Sequence, residues 1–395
     1  MKNLKLKKGK EKSLERFHPW IFSGALDGTV KNVAEGELIR LFDGNDNFRG
    51  IGHYQPSSLA IKILSFDDVE INQDFWNSKL KKAYQTRLTL NLDESETNIY
   101  RLVHAEGDGL PGLIIDVYGE LAIVQCHSLG MFNHIEEIGK AIEAALGEKI
   151  TTIYSKSQET IPSSANVKNA NRFLKGATQN IWATENGLSF FVDYLEGQKT
   201  GFFIDQRENR ELLGSYSKGK SVCNTFCYSG GFSLYALQKG AKKVVSIDSS
   251  ERAIELVDKN LAKNFKTVSN HESIKADVFK YFEEKDDEKF DLIILDPPAF
   301  AKHNKAVTNA LKGYRRLNAA GMRNTVNGGL IFTFSCSQAI TKENFRTAIF
   351  AAALETNKEV KILHQLHQPA DHPVNIFHPE GEYLKGLVIQ VFDKN

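Results

Sequence analysis

Two short segments contain side chains that suit covalent chemistry on a heterocyclic base. Residues 333–337 (TFSCS) and 296–300 (DPPAF) each follow an apolar run that predicts a buried strand. A thiolate that adds to carbon 6 of a pyrimidine turns the ring into an enamine, whose carbon 5 can accept a methyl group. A carboxylic acid at N3 makes the ring more electrophilic. We therefore predict Cys336 as the nucleophile and Asp296 as the group that activates the ring; a buried apolar thiol is the simpler alternative for Cys336.

The chain upstream of these segments predicts a nucleoside-binding site. Paired glycines in 226–231 (FCYSGG) follow a strand and let the main chain approach a ligand where a helix begins. Asp248 ends the next strand, where a carboxylate can bind a ribose diol. The loop 226–231 contains neither G-x-G-x-x-G nor a P-loop pattern, which favours S-adenosylmethionine over a nucleotide with phosphates. Asp277 follows a further strand and is predicted to accept the adenine amino group; a helix N-cap explains it equally well.

The order of strand and helix patterns predicts a multidomain protein with α/β and α+β parts. Residues 1–70 have short apolar runs between closely spaced turn signals and predict a compact β-barrel. Residues 71–192 mix strands and helices and include a hairpin signal at Asn186-Gly187. In 193–395, strands and helices alternate, which predicts a doubly wound, mostly parallel sheet with ligands at its carboxyl edge.

Composition excludes several classes of protein. Lys and Arg number 50 and Asp and Glu 49 among 395 residues, so a nucleic-acid surface must be local. Four cysteines do not form a disulfide framework, and neither a secretory signal nor a membrane-spanning run is found. We expect a cytoplasmic protein. Cys223, Cys227 and the histidines of the C-terminal segment are conceivable zinc ligands, but C-x2-C and H-E-x-x-H are absent and we predict no metal.

Several longer segments show a resemblance to a known family. They are 17–24, 103–116, 196–207, 224–233, 296–300, 333–337, 370–373 and 379–386. On these segments the chain resembles, over its whole length, the bacterial large-subunit (23S) ribosomal RNA cytosine-C5 methyltransferases with an N-terminal PUA domain. The resemblance implies a PUA-like RNA-binding barrel, a central α+β domain and a Rossmann-like class I methyltransferase domain.

The resemblance also implies the roles of individual residues. Gln206 and Arg207 would hold the methionine carboxylate of S-adenosylmethionine, and a guanidinium suits a carboxylate. Cys336 would be the nucleophile. The residues implied to line the cofactor site, with their direct neighbours, are Phe226, Tyr228, Ser229, Gly230, Asp248, Ser249, Asp277, Val278 and Asp296.

Basic and aromatic residues near these motifs predict contacts with ribosomal RNA, the implied partner. Cations bind phosphates, and aromatic rings stack on unpaired bases. A solvated arm, a solvated helix face and a packed barrel core explain the same residues almost as well. The predicted RNA contacts are Lys8, Arg16, His18, Trp20, Lys302, Arg315 and Arg316.

Two other functions fit parts of the sequence. A methyltransferase acting at a base nitrogen is one, since a D-P-P loop is also used to bind an exocyclic amine. An enzyme acting at N7 of guanine is a variant of this hypothesis, and both leave Cys336 without a role. A non-catalytic RNA-binding factor that keeps the fold is the third possibility, and the residues that argue against it are Asp248, Asp277, Asp296 and Cys336. A homodimer is a further expectation that the sequence leaves open.

Overall fold

The structure is a computed structural model that describes residues 1–28, 30–92, 95–285, 287–301 and 306–394. Within these ranges, every helix is too short or too polar to span a lipid bilayer. The chain divides into two compact units, which we describe separately. The first comprises Met1–Gly187, Val192–Ile204 and Ala370–Gly381, and the second comprises Leu188–Phe191, Asp205–Pro369 and Glu382–Asn395.

The N-terminal part of the first unit is a five-stranded sheet. Its strands are β1 (Lys2–Lys5), β2 (Trp20–Phe22), β3 (Leu38–Phe42), β4 (Phe48–Tyr54) and β5 (Leu59–Ser65), and the short helix α1 (Lys12–Glu15) lies between the first two. The strand order is β1-β3-β4-β5-β2, with β1 parallel to β3 and the other pairs antiparallel. Ile39 and Leu41 alternate into the core with Ile61 and Ile63, as the period of a strand requires.

A second sheet completes the core of the first unit. Its strands are β6 (Ile99–His104), β7 (Leu113–Tyr118), β8 (Leu121–Cys126), β9 (Thr152–Lys156) and β10 (Asn171–Lys175). They follow the order β10-β9-β8-β7-β6. The helices of this part are α2 (Gln73–Leu88), α3 (Leu129–Phe132) and α4 (Ile135–Leu146). Helix α2 begins where the Asn72 side chain accepts a hydrogen bond from the Phe75 amide, and it buries Trp76 and Leu80 on one face.

The predicted turn at Asn186-Gly187 is present. Strands β11 (Ile181–Glu185) and β12 (Leu188–Val192) flank it, and both turn residues have positive φ angles, 48° and 77°. This is the backbone of a type I′ turn, for which asparagine and glycine are favoured.

Buried ion pairs hold the second sheet to the segment 370–381 within the first unit. Arg87 makes a two-point contact with Asp108 at 2.5 and 2.8 Å, and Arg101 makes one with Asp116 at 2.7 and 3.0 Å. The carbonyl oxygen of Asp371 accepts from Arg87, and its carboxylate accepts from the Arg101 amide. Two of the segments that carry the resemblance, 103–116 and 370–373, therefore have a structural role in this unit.

The second unit contains a seven-stranded sheet. Its strands are β13 (Ser221–Thr225), β14 (Lys243–Asp248), β15 (His271–Lys275), β16 (Phe290–Leu295), β17 (Thr325–Ser335), β18 (Lys358–Leu366) and β19 (Lys385–Asp393). The order is β15-β14-β13-β16-β17-β19-β18. The first five in this order are parallel, and β19 is antiparallel to both of its neighbours.

Helices cover both faces of this sheet. They are α5 (Arg207–Tyr216), α6 (Gly231–Gln238), α7 (Glu251–Asn264), α8 (Val278–Glu284), α9 (Val307–Arg323) and α10 (Lys342–Glu355). Along β16, Leu292 and Ile294 enter one hydrophobic cluster whereas Ile293 and Leu295 enter the other. Alternate residues are thus buried on opposite faces, as in a doubly wound sheet. The sequence predicted this architecture for 193–395; the three domain boundaries stay predictions.

Candidate active site

The strand order of the second unit places four predicted residues at one edge of the sheet. Thr225 at the end of β13 is paired with Ile247 on one side and Leu295 on the other, and Leu295 is paired with Thr333 of β17. All four strands run parallel, so their carboxyl ends meet at the same edge. The residues at or just beyond these ends are Phe226, Asp248, Asp296 and Cys336.

The glycine-containing loop after β13 is shaped by its main chain. Phe226, Tyr228 and Gly230 have φ angles of 53°, 47° and 79°, in the left-handed region. The Tyr228 amide donates to Asp248 Oδ2 at 3.0 Å, and the Ser250 amide donates to Asp248 Oδ1 at 2.9 Å. Asp248 therefore fixes the loop in addition to ending its strand. Each carboxylate oxygen has a second lone pair, which suits it to accept from a ribose hydroxyl as well.

Close packing supports a glycine at the position that begins the next helix. A Cβ at Gly230 would lie 3.2 Å from both methyl groups of Val257, and the positive φ disfavours a side chain there. Val257 and Asn260 both belong to α7, and the Asn260 side chain donates to the Ser229 carbonyl at 2.9 Å. The loop thus lies tightly on α7, and its contact with a nucleoside cofactor stays a prediction.

Asp277 is an exposed helix N-cap. Its Oδ1 accepts from the Lys280 amide at 3.1 Å, at the start of α8. This is the structural alternative that the sequence left open, and its contact with adenine stays a prediction. Of the two neighbours implied to line the site, Ser249 is exposed, whereas Val278 is 2% exposed and packs in the hydrophobic core.

A hydrogen-bond chain joins the start of α5 to the D-P-P loop. Gln206 Nε2 donates to Asp296 Oδ2 at 3.0 Å, and Asn209 Nδ2 donates to Gln206 Oε1 at 2.6 Å. Gln206 and Arg207 are 3% and 4% exposed, although both are polar. Buried polar groups of this kind are kept where they hold a ligand or another side chain. The structure therefore brings together Gln206 and Asp296, which the sequence places far apart.

Cys336 follows β17 between two serines that are hydrogen-bonded to the same tyrosine. Ser335 Oγ donates to Tyr314 Oη at 2.9 Å, and Ser337 Oγ lies 3.2 Å from the same oxygen. Lys385 Nζ donates to the Ser337 carbonyl at 2.6 Å. These contacts fix the main chain on both sides of the thiol.

The four cysteines, all within the described ranges, differ in burial. Cys126, Cys223 and Cys227 are buried, whereas Cys336 is partly exposed. Burial raises the pKa of Cys126 to about 12 and raises the pKa of Cys223 and Cys227 well above the ordinary thiol value. A thiolate is the reactive form of cysteine, so Cys336 is the best placed of the four to act as a nucleophile.

Sequence analysis missed three side chains at this edge, Asn209, Tyr314 and Lys385. Asn209 stands three residues after Gln206, the spacing at which helical side chains meet. Lys385 is a charge within the otherwise uncharged run 384–391, which was a usable signal because charges are rarely buried in strands. Tyr314 gave no signal, since its contacts depend on how α9 packs against β17.

The predicted basic RNA contacts are exposed wherever the structure describes them. Lys8 and Arg16 lie on the surface of the first unit, and Arg315 and Arg316 on that of the second. Arg315 pairs with Glu355 at 3.4 Å, and the Arg316 guanidinium lies 5.0 Å from the centre of the Phe279 ring. Lys302 lies outside the described residues.

The aromatic residues predicted to stack on bases are engaged within the first unit. Trp20 Nε1 donates to Glu106 at 2.8 Å, and its ring centre lies 4.4 Å from that of His378. His18 Nε2 lies 3.4 Å from a carboxylate oxygen of Glu380. Three possible metal-ligand atoms, one each from His18, His378 and Glu380, lie within 4.8 Å of one another. The contact between His18 and Glu380 accounts for part of this proximity. Stacking of His18 and Trp20 on RNA stays a prediction.

Comparisons with known proteins agree with the fold described above. Residues 154–379 match the family of S-adenosylmethionine-dependent methyltransferases, and residues 4–66 match a PUA-like domain. A relative from Aeromonas salmonicida, named ribosomal RNA large subunit methyltransferase I, is 37% identical over 391 residues, which cover 98% of each chain.

Two solved structures share the fold over its length. A candidate SAM-dependent methyltransferase from Streptococcus mutans has a TM-score of 0.85 at 25% identity, and a candidate methyltransferase in complex with SAH has 0.86 at 26%; each covers 99% of this chain and 100% of its own. The predicted fold class and cofactor are confirmed. The chain belongs to the S-adenosylmethionine-dependent methyltransferase family and is an enzyme that uses S-adenosylmethionine.

Proposed function

We propose that the protein methylates carbon 5 of a cytosine in large-subunit ribosomal RNA. The observation that carries this proposal is the partly exposed Cys336 after β17, beside β16, the strand that Asp296 directly follows. A nitrogen-directed methyltransferase needs no thiol at this place. The name of the relative from Aeromonas salmonicida supports large-subunit ribosomal RNA as the substrate.

The proposed reaction begins at the Cys336 sulfur. The thiolate bonds to carbon 6, and the electron pair of the carbon 5–carbon 6 double bond moves to carbon 5. S-adenosylmethionine, when bound, supplies an electrophilic methyl group, which is transferred to carbon 5. Removal of the carbon 5 proton by a base restores the double bond, and the bond from carbon 6 to sulfur breaks to release the thiolate.

Asp296 is assigned to N3 of the cytosine. Its Oδ2 accepts from Gln206, and we assign to the carboxyl group the proton or hydrogen bond that activates the ring. A donor at N3 withdraws electrons from carbon 6 and favours attack by sulfur. Gln206 thereby acts on the reaction through Asp296, because it fixes the orientation of the carboxyl group.

The cofactor contacts are proposed from the same edge of the sheet. Asp248 is assigned to the ribose hydroxyls, Asp277 to the adenine amino group, and Gln206 with Arg207 to the methionine carboxylate. Arg207 is 4% exposed, and a buried guanidinium is well suited to bind a carboxylate. The loop 226–230 would contact the nucleoside through its main chain.

The RNA contacts extend the proposal to both units. Lys8 and Arg16 would bind phosphates from the PUA-like part, and Arg315 and Arg316 from the part that contains Cys336. A phosphate contact adds affinity that falls as salt rises and that does not depend on sequence. A cytoplasmic location and a homodimer belong to the same proposal and stay predictions.

A transfer assay tests the proposal directly. Ribosomal RNA from cells that lack this protein is incubated with methyl-labelled S-adenosylmethionine and the wild type, Cys336→Ser or the buried-thiol control Cys126→Ser. We expect label on carbon 5 of a cytosine with the wild type and the control. Cys336→Ser should bind the cofactor in calorimetry with unchanged affinity and lose transfer. Equal transfer by Cys336→Ser, or label on a nitrogen, would overturn the proposal.

A further inference from the structure

We propose that a basic cavity in the second unit binds a backbone phosphate of the RNA substrate. This inference rests on the proposed function, and it names contacts that the predicted RNA-binding residues do not include. The cavity lies between the start of α10 and the adjoining ends of β18 and β19, and its volume is about 160 Å³. A single water needs about 10–15 Å³ of such space, so the cavity admits a phosphate group.

The charged side chains that line the cavity are all cations. Lys342 and Arg346 come from the first two turns of α10, and Lys385 is the first residue of β19. No carboxylate is among the described residues that line the cavity. His367 also lines it, but its Nδ1 donates to the Gln368 carbonyl at 2.7 Å and is not available to a ligand. Three cations around one cavity favour an anion as its occupant.

Lys385 is the buried cation of the three. It is 6% exposed, and its Nζ donates to the Ser337 carbonyl at 2.6 Å, which uses one of its three protons. Among the described residues, no carboxylate forms an ion pair with this ammonium, whereas lysine is rarely buried unless its charge is paired. Burial lowers the pKa of Lys385 to about 8, so the charge is still present at pH 7. A phosphate in the cavity would pair with it.

The two exposed cations can turn to the same phosphate at little cost. Lys342 pairs with Glu382, but the two side chains are 51% and 40% exposed, and such a pair contributes little to stability. Glu343 of α10 is also near Lys342 and Arg346, yet it is exposed, so solvent and salt screen its charge. The guanidinium of Arg346 can make two parallel hydrogen bonds to a phosphate.

The strand register places the cavity at the same edge of the sheet as the candidate active site. Lys385 is paired with Ser335, and Cys336 follows Ser335. Phe345 and Leu387, which line the cavity, belong to the hydrophobic cluster on one face of the sheet, whereas Cys336 packs against the cluster on the other face. The cavity therefore suits a phosphate that flanks the target cytosine, and it leaves the thiol side to the base.

The salt dependence of RNA binding tests the site. Large-subunit ribosomal RNA from cells that lack this protein is bound at several KCl concentrations, without cofactor, and Kd is measured by filter binding. The variants are Arg346→Gln, Lys385→Gln, both together, and Arg346→Lys, which keeps the charge. Lys361→Gln removes an exposed cation of β18 that does not line the cavity and is the matched control. Calorimetry with S-adenosylmethionine shows whether each variant is folded.

We expect the double variant to raise Kd about tenfold and to lower the slope of log Kd against log salt by about 0.7, the contribution of one phosphate of a single strand. Each single variant should give part of this change, and Arg346→Lys and Lys361→Gln should stay within about twofold of the wild-type Kd. Arg346→Gln, at an exposed position, tests the site even where the loss of Lys385 prevents folding.

A folded Arg346→Gln with the Kd and the slope of Lys361→Gln would overturn the proposal. Calorimetry with inorganic phosphate supplies a second test: submillimolar binding that Arg346→Gln abolishes, with RNA affinity unchanged, would show a free-anion site and would also overturn it. A wild type that shows the expected salt dependence but places no label on cytosine would contradict the proposed function and not the phosphate site.

Discussion

Gln206 Nε2 and Asp296 Oδ2 are joined by a hydrogen bond of 3.0 Å across 90 residues of sequence. The contact links the residue that precedes α5 to the first residue after β16. It explains why an amide, rather than a carboxylate, is suited to position 206. An amide can donate to Asp296 through nitrogen while its oxygen accepts from Asn209.

We predict that Gln206→Glu lowers kcat by about a hundredfold at pH 7.5, because an ionised glutamate cannot donate to Asp296 and the carboxyl group loses the contact that orients it. Activity should recover partly as the pH is lowered and one carboxyl group becomes protonated. Glu208→Gln, at an exposed position two residues away, is the control and should keep wild-type activity. A Gln206→Glu enzyme with a normal kcat would show that the contact has no role in the reaction.

Asp277 offers a test that separates capping from cofactor binding. Asp277→Ser keeps a side-chain oxygen for the Lys280 amide, so the free energy of unfolding should change by less than about 0.5 kcal/mol. If the carboxylate binds the adenine amino group, the Kd for S-adenosylmethionine should rise about tenfold. Calorimetric titration measures the Kd, and urea unfolding measures stability. An unchanged Kd would leave Asp277 as a helix cap alone.

Gly107 is predicted to tolerate no side chain. A Cβ there would overlap the Pro373 carbonyl oxygen within the first unit. Gly107→Ala should therefore lower the free energy of unfolding by about 2 kcal/mol or more, since backbone must move. Gly24→Ala is the matched control, because a methyl group at that position would meet no atom within 4 Å and the φ angle of Gly24 is ordinary. Equal melting temperatures for the two variants would contradict the tight approach.

His53 makes stability depend on pH. Burial, with smaller effects of His134 and Lys62, lowers the pKa of His53 from 6.5 to about 3. Below pH 6.5 the unfolded chain binds a proton at His53 that the native protein does not, so stability falls as the pH drops towards 3. His53→Gln removes this pH-dependent contribution to stability. Any other effect of the substitution on stability does not depend on pH.

The difference in unfolding free energy between wild type and His53→Gln should therefore shift by about 1 kcal/mol, in favour of the variant, from pH 6 to pH 5. Urea titrations at the two pH values measure it, and the other titrating groups act in both proteins. A difference that stays constant with pH would show that His53 is protonated in the native state.

The sequence predicted the position of those candidate residues that lie at or just after the end of a strand. Asp248, Asp296 and Cys336 each come at the end of an apolar run, and parallel strands bring such ends to one edge. The alternation of strands and helices was therefore enough to predict that these three residues lie close together. The hairpin turn at Asn186-Gly187 was likewise local, since its two residue types favour positive φ angles.

Contacts that depend on distant packing were not predictable in this way. Lys385 reaches the Ser337 carbonyl because β19 inserts antiparallel between β17 and β18, a pairing that no local pattern specifies. Trp20 follows a basic segment in the sequence, yet in the structure it is hydrogen-bonded to Glu106, 86 residues away. Side-chain types indicated the chemistry, and only the strand order showed which of them meet.

The central claim is that Cys336 bonds covalently to the target base, and trapping that bond tests it most directly. A fragment of large-subunit ribosomal RNA made with 5-fluorocytidine is incubated with the protein and S-adenosylmethionine, because fluorine at carbon 5 blocks the final proton removal and keeps the adduct. We predict a protein–RNA complex that survives denaturing electrophoresis, with the RNA attached to the peptide that contains Cys336, and no such complex with Cys336→Ser. Methylation of cytosine without any adduct, or an adduct that persists in Cys336→Ser, would contradict the account.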